Sequence, residues 1–274
     1  MDSVAGQDVR RSLPEGLGAA IRETAEEIAA LLRTDADMER RVPGAEWSVG
    51  EAAAHLALAN ELMAELAAGH ARPYGDGTPQ SLAAANERSL AEFGERAAEP
   101  LAAMIVEQAE ACVKALEEGA AEGTVVTPLG SMSPQELGSY LLTHMLGHGY
   151  DLARALGRAH MLDRARVALT LPFMLTAMPR VTDSVRTAGM NARYDIRLWG
   201  DSGRFGVTLA DGVLTVDPQP PARPDCTISI EPVTFLLMAL GRQGQVSPLA
   251  RGRILVRGRK PWLAPRFPGL FTAP

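Results

Sequence analysis

The chain holds five histidines, His55, His70, His144, His148 and His160. His144 and His148 stand four residues apart in a stretch of good helix formers. Both imidazoles therefore leave one face of a helix, one turn apart, the spacing at which two nitrogens can hold one metal ion. His55 lies on a different expected helix, about seven residues or 10 Å past Ser48 at its start. His144 and His148 lie roughly 20 and 14 Å from Gly157 at the end of theirs. If these two helices pack antiparallel, the depths agree to within about two turns, and the three histidines converge inside a bundle. Three histidines leave one position of a tetrahedral zinc ion open, as in catalytic rather than structural sites. Imidazole also suits nickel, iron and copper. Neutral buried imidazoles joined by hydrogen bonds, with no metal, are the competing reading.

A metal-bound imidazole usually donates its other N–H to a carboxylate or carbonyl. Asp151, three residues after His148, is a candidate for that role; an exposed pair with Arg154 is the alternative. Glu51, four residues before His55, is better read as a helix cap. Trp47 precedes the Ser48 cap and reads as a packing staple ahead of a ligand-stacking group. Cys112 reads as a small core residue, and His70 and His160 as solvated groups beside loops.

These residues need helices to hold them. Ala, Leu, Glu and Arg dominate up to about residue 157, and all favour helix. Ser12-Leu-Pro-Glu15, Ser48-Val-Gly-Glu51 and Ser133-Pro-Gln-Glu136 each fit a capping box, and Thr78-Pro79 is a further start. The expected helices are 13–33, 48–69, 79–119 with a possible break near Pro100, and 133–157, together a four-helix bundle. Beyond residue 160 the pattern changes. One more helix fits 164–186. Short alternating runs follow at Tyr194–Trp199, Arg204–Leu209, Val213–Val216 and Cys226–Ile230, with Asp211-Gly212 as a hairpin turn. A helix at 232–241 and a strand at Ile254–Val256 complete an α+β unit around an antiparallel sheet. The segment 217–225 reads as a Pro-rich surface loop. The expected domains are 1–160 and 161–274.

Composition narrows the function classes. With 27 basic and 33 acidic residues among 274, the net charge is −6. That opposes a non-specific nucleic-acid binder, which needs a basic field. Uncharged stretches such as Val167 to Pro179 are too short to span a bilayer, so no membrane partner is expected. Two cysteines far apart exclude a disulfide scaffold. The start, MDSVAGQDVRR, lacks an apolar signal-peptide core, and the expected location is cytoplasmic.

Two stretches, Trp47-Ser-Val-Gly-Glu-Ala-Ala-Ala-His55-Leu and His148-Gly-Tyr-Asp-Leu-Ala-Arg-Ala-Leu-Gly157, resemble the mycothiol-dependent maleylpyruvate isomerase family, one of the DinB-like metal-binding helical bundles. Asp225-Cys-Thr-Ile-Ser-Ile230, Gly252-Arg-Ile-Leu-Val-Arg-Gly258 and a last helix ending at Phe271 resemble a domain like sterol carrier protein type 2, which commonly follows that bundle. Together the resemblance covers nearly the whole chain. It implies metal ligands at His55, position 144 and His148. The family typically has Glu at the middle position, where this chain has His144. Three neutral imidazoles leave a zinc ion at +2, which lowers the pKa of a bound thiol further.

The resemblance implies a metal-dependent enzyme that takes mycothiol, a low-molecular-weight thiol, as co-substrate. Bound as thiolate, it attacks a small electrophilic substrate, as an isomerase or an S-transferase. Arg253, Arg257, Arg259 and Arg266, and more weakly Asn86-Glu-Arg88, are candidate contacts for the thiol or an anionic substrate. A monomer or homodimer is expected. Two other readings stay open. One is a lipid or small-ligand carrier whose C-terminal domain has a cavity lined by Phe235, Leu236, Met238 and Leu240, against the plainer reading of these as core. The other is a metal-binding bundle without thiol chemistry.

Overall fold

The computed structural model describes residues 13–272 apart from Gly77 and Glu122. The chain forms two compact units, dividing between Leu162 and Asp163.

In the first unit, four long helices are α1 (Leu17–Arg33), α2 (Val49–Ala67), α4 (Ala98–Glu118) and α5 (Pro134–Leu156), with the shorter α3 (Leu82–Glu92) beside α2. Helices α2 and α1 each pack on both α4 and α5, which makes a four-helix bundle. Helix α2 is buried on almost every side because it meets α3, α4 and α5 together. The Ser48 and Ser133 capping boxes form: each hydroxyl accepts the N–H three residues on at 3.2 Å, and Glu51 and Glu136 answer the serine N–H at 2.7 Å. Glu51 is therefore the cap of α2. Gly149 lets α5 come close to α1, since a Cβ there would lie 2.7 Å from Met161 Sδ and 3.1 Å from Ile28.

Three details differ from expectation. Helix α1 starts behind Gly16 at Leu17 rather than at 13; the Ser12 cap lies outside the described residues. The span 79–119 is two helices, and the break falls at 93–97, not at Pro100. Pro100 sits in the first turn of α4, where its missing N–H costs little. The break is held by Arg96, whose guanidinium donates to the carbonyls of Leu90, Phe93 and Glu95. A small hairpin, β1 (Val125–Thr127) with β2 (Gly130–Met132), leads into α5.

The second unit opens with α6 (Arg164–Ala177). The expected helix to 186 stops there; a 3₁₀ turn (Met178–Val181) and a short helix α7 (Ser184–Thr187) follow. Five strands come next: β3 (Ala192–Leu198), β4 (Gly203–Ala210), β5 (Val213–Asp217), β6 (Cys226–Ile230) and β7 (Ile254–Arg257). Helices α8 (Pro232–Ala239) and α9 (Val246–Ala250) lie between β6 and β7, and a 3₁₀ segment (Pro261–Leu270) ends the described chain. Asp211 and Gly212 both take positive φ at the β4–β5 hairpin, as its tight turn requires.

The sheet order is β5-β4-β3-β6-β7, and it is mixed: β3 and β6 run parallel, pairing Ile196 with Ile228, while every other pair is antiparallel. The sheet is antiparallel as expected in three of its four pairings, and the parallel β3–β6 pair is the exception. Its cause is the Pro-rich loop, which crosses from one edge strand over β4 and β3, about 14 Å at strand spacing. Gly206 makes room for it: a Cβ there would lie 2.7 Å from Pro221 Cδ and 3.0 Å from the Gln219 carbonyl. On this face Asp195 is fully buried and accepts four bonds at 2.6–3.0 Å from Arg197 and Arg204.

Candidate metal centre

Helices α2 and α5 bring three histidines together. His55 Nε2 lies 3.1 Å from His144 Nε2. The ring centroids are 5.0 Å apart for His55 and His144, 4.9 Å for His55 and His148, and 4.6 Å for His144 and His148. One ligand nitrogen from each lies within 4.8 Å of the other two. The helices run antiparallel, as convergence needs: both meet β1, and Leu66 at the end of α2 lies with Val125 and Thr127, just ahead of the start of α5.

The donor set fits a metal ion. Two nitrogens bound tetrahedrally at about 2.0–2.1 Å stand roughly 3.3 Å apart, close to the His55–His144 separation. A direct imidazole–imidazole hydrogen bond has much the same length, so distance alone does not choose between them. Burial favours the metal-ready form of His55: desolvation pushes its pKa down to about 4, leaving it neutral with a lone pair to give. His144 and His148 are half-buried, so the cluster keeps a side that solvent reaches.

Around the cluster, Asp151 Oδ2 lies 3.6 Å from His148 Nδ1. The alternative partner, Arg154, instead places its guanidinium over the Tyr150 ring. Trp47 is more than a staple. Its ring sits 4.8 Å from His55 and stacks at 6.1 Å on His148, walling one side of the cluster. The signal was its place two turns before His55, just outside the α2 cap. Tyr140, one turn before His144, meets that ring edge-on at 6.4 Å, and burial pushes its phenol well above the usual range.

The other candidates have other partners. His70 and His160 are exposed, and His160 packs on Tyr150. Cys112 is buried in the bundle, its thiol pushed up to about 12 by desolvation. Asn86 accepts the Tyr74 hydroxyl at 2.7 Å. Arg253, Arg257 and Arg259 belong to the second unit. Arg259 is not a free donor there: it meets Asp225 at 2.9 Å, and Lys260 meets the same carboxylate at 3.3 Å.

Residues 18–153 match the mycothiol maleylpyruvate isomerase N-terminal domain, and residues 178–260 match the SCP-2 sterol transfer family. The first unit is thus a domain of the mycothiol maleylpyruvate isomerase N-terminal type. Among solved structures, a mutant of the mycothiol-dependent maleylpyruvate isomerase is similar at 15% identity and a TM-score of 0.51, covering 84% of this chain and 90% of that one. The unmutated isomerase has a TM-score of 0.49 at the same identity and coverage. A stereoselective inverting sec-alkylsulfatase, Pisa1 from Pseudomonas sp., has a TM-score of 0.34 at 17% identity; the match covers 50% of this chain, which spans only 24% of the sulfatase. The first of these similarities shows a shared fold. A search of curated protein sequences gave no match.

His144 stands where the resemblance implies Glu, so the candidate donors are three imidazoles. Three neutral imidazoles leave the whole charge of a divalent ion in place.

Proposed function

We propose that the chain is a metal-dependent enzyme of the cytoplasm that uses mycothiol against a small electrophile, as an isomerase or an S-transferase. The observation that carries this is the convergence of His55, His144 and His148 in a unit of the isomerase family. A divalent ion held there, zinc in the first instance, would supply the charge that keeps a thiol as its nucleophilic thiolate at neutral pH. The chain's own residues prepare the place. His55, neutral through burial, offers a lone pair without first losing a proton. Asp151 beside Nδ1 of His148 favours the tautomer that turns Nε2 inward. Trp47 shields one side of the cluster from water, and the partly exposed side at His144 and His148 admits thiol and substrate. Thiolate addition to an activated double bond, rotation and elimination return the thiol and give the isomer. Addition or displacement without elimination leaves the thiol on the product.

The test is turnover by the purified chain with mycothiol and maleylpyruvate, and with other small electrophiles. Isomer formed with no loss of thiol assigns an isomerase; thiol consumed in step with an S-conjugate assigns a transferase. Metal-loaded protein that gives neither product, and whose rate ignores added thiol, overturns the proposal.

One observation favours a second reading. The inner face of the second unit's sheet lines an apolar cavity of about 250 Å³, bounded by Ile196, Ile228, Ile230, Phe235, Met238 and Phe267. Of the four side chains expected to line a carrier cavity, Phe235 and Met238 do so, while Leu236 is buried elsewhere in the core and Leu240 lies outside the lining. The volume falls below the roughly 300–1,000 Å³ usual for ligand sites, which ranks the carrier second. Binding of a fluorescent fatty acid by metal-free protein, blocked by Met238→Trp, would raise it.

A further inference from the structure

The whole-chain charge of −6 conceals a sharp division. The first unit has twelve basic and twenty-five acidic residues, a formal −13; the second has fifteen and eight, a formal +7. The excess in the second unit gathers at its end. No Asp or Glu follows Glu231, whereas Arg242, Arg251, Arg253, Arg257, Arg259, Lys260 and Arg266 do.

The same stretch exposes large apolar side chains. Val246 is 78% exposed, Leu249 52%, Leu255 46% and Trp262 60%. They sit on three successive elements in contact around the free edge of the sheet: α9, edge strand β7 and the 3₁₀ segment. Hydrogen bonds tie these elements together, from Arg253 N–H to the Pro248 carbonyl and from Gln245 Nε2 to the Pro265 carbonyl. Among the described residues, Arg251, Arg257 and Arg266 have no ion pair.

We propose that this edge, residues 246–266, docks the protein on an anionic lipid surface. Free guanidinium groups meet lipid phosphates, and Val246, Leu249, Leu255 and Trp262 enter the interface, where an indole is at home. Charge complementarity selects an anionic partner, and the exposed apolar groups select among anionic partners. The acidic first unit of a second copy presents carboxylates but, among the described residues, exposes one large apolar side chain, Val126, too little to receive four. Single-stranded nucleic acid would use stacking aromatics, and Trp262 is the one exposed aromatic among those four. This is peripheral attachment, and it agrees with the finding that no described helix is long and apolar enough to cross a membrane.

The test is co-sedimentation of the full chain with vesicles of phosphatidylcholine alone and of phosphatidylcholine mixed equally with phosphatidylglycerol. Binding is expected only to the mixed vesicles, falling steeply with salt and accompanied by a blue shift in emission that Trp262→Phe removes. The triple variant Arg251→Glu, Arg257→Glu, Arg266→Glu is expected to lose at least about a hundredfold in partitioning, since each basic group near an anionic surface carries roughly a fivefold share. These side chains are exposed, so thermal unfolding should confirm that the variant is folded. Equal binding to both vesicle types, no binding to either, or anionic binding unchanged in the triple variant overturns the proposal. So does a salt-sensitive dimer, or binding to single-stranded DNA, that the same variant abolishes while vesicles bind nothing.

Discussion

His55 Nε2 and His144 Nε2 face each other at 3.1 Å across two antiparallel helices, with His148 one turn further along. Helix rise alone places the three side chains at similar depths. The contact also requires that α2 and α5 be neighbours rather than diagonal partners, and they are. The buried polar cluster is costly unless its nitrogens are bonded, and a bound ion satisfies them together.

The first prediction concerns acid. The pKa of His55 falls from about 6.5 in the unfolded chain to about 4 in the fold because burial opposes the charged form. Below pH 6.5 the unfolded chain therefore binds the proton first. Metal-free protein should keep its full stability above about pH 6.5 and lose up to about 3 kcal/mol as pH falls towards 4. Urea unfolding at pH 7 and pH 5 measures this, and His55→Gln should flatten the difference.

Trp47 reports on the cluster directly. Its ring touches two of the three imidazoles, so copper(II) bound there should quench its emission. Trp47→Phe should abolish the quenching while copper still binds, and a titration of both proteins separates the two effects. Quenching that survives the substitution would place the ion elsewhere.

Asp195 ties the outer sheet face together. Burial alone would raise its pKa, but the bonds from Arg204 and Arg197 outweigh this and hold it below the usual carboxylate value. Its contribution should be complete above about pH 4 and vanish as pH falls through the lowered folded value. Asp195→Asn should cost about 1–3 kcal/mol at pH 7, discounted because both arginines are half-exposed. Thermal unfolding against pH tests both statements.

Gly206 is the point at which the crossover loop touches the sheet. Gly206→Ala drives a methyl into Pro221 and into the loop backbone, and should cost about 1–3 kcal/mol. Amide exchange should quicken over 218–225 and stay unchanged in the first unit.

Periodicity and caps made the four long helices legible, because Ser48, Glu51, Ser133 and Glu136 act through neighbours in sequence. A break within 79–119 was signalled by Pro100, but its place at 93–97 was not: it rests on one arginine reaching back to three carbonyls, for which no residue pattern exists. The hairpin β1–β2 is three residues a side, too short for alternation to show. The parallel β3–β6 pair follows from the path of a loop over a glycine, a tertiary relation. In the site, the histidine spacing was readable, whereas the position of Trp47 depended on how the chain turns before α2. Whole-chain charge hid the basic end of the second unit by averaging it with an acidic bundle.

Elemental analysis of protein purified without a nickel column is the direct test of whether His55, His144 and His148 hold a metal ion. About one zinc per chain is expected in the wild type, and a loss of at least about tenfold in metal affinity in His55→Ala. Wild-type protein that keeps no metal after zinc is offered and the excess dialysed away, or a His55→Ala variant that keeps as much as wild type, would contradict it.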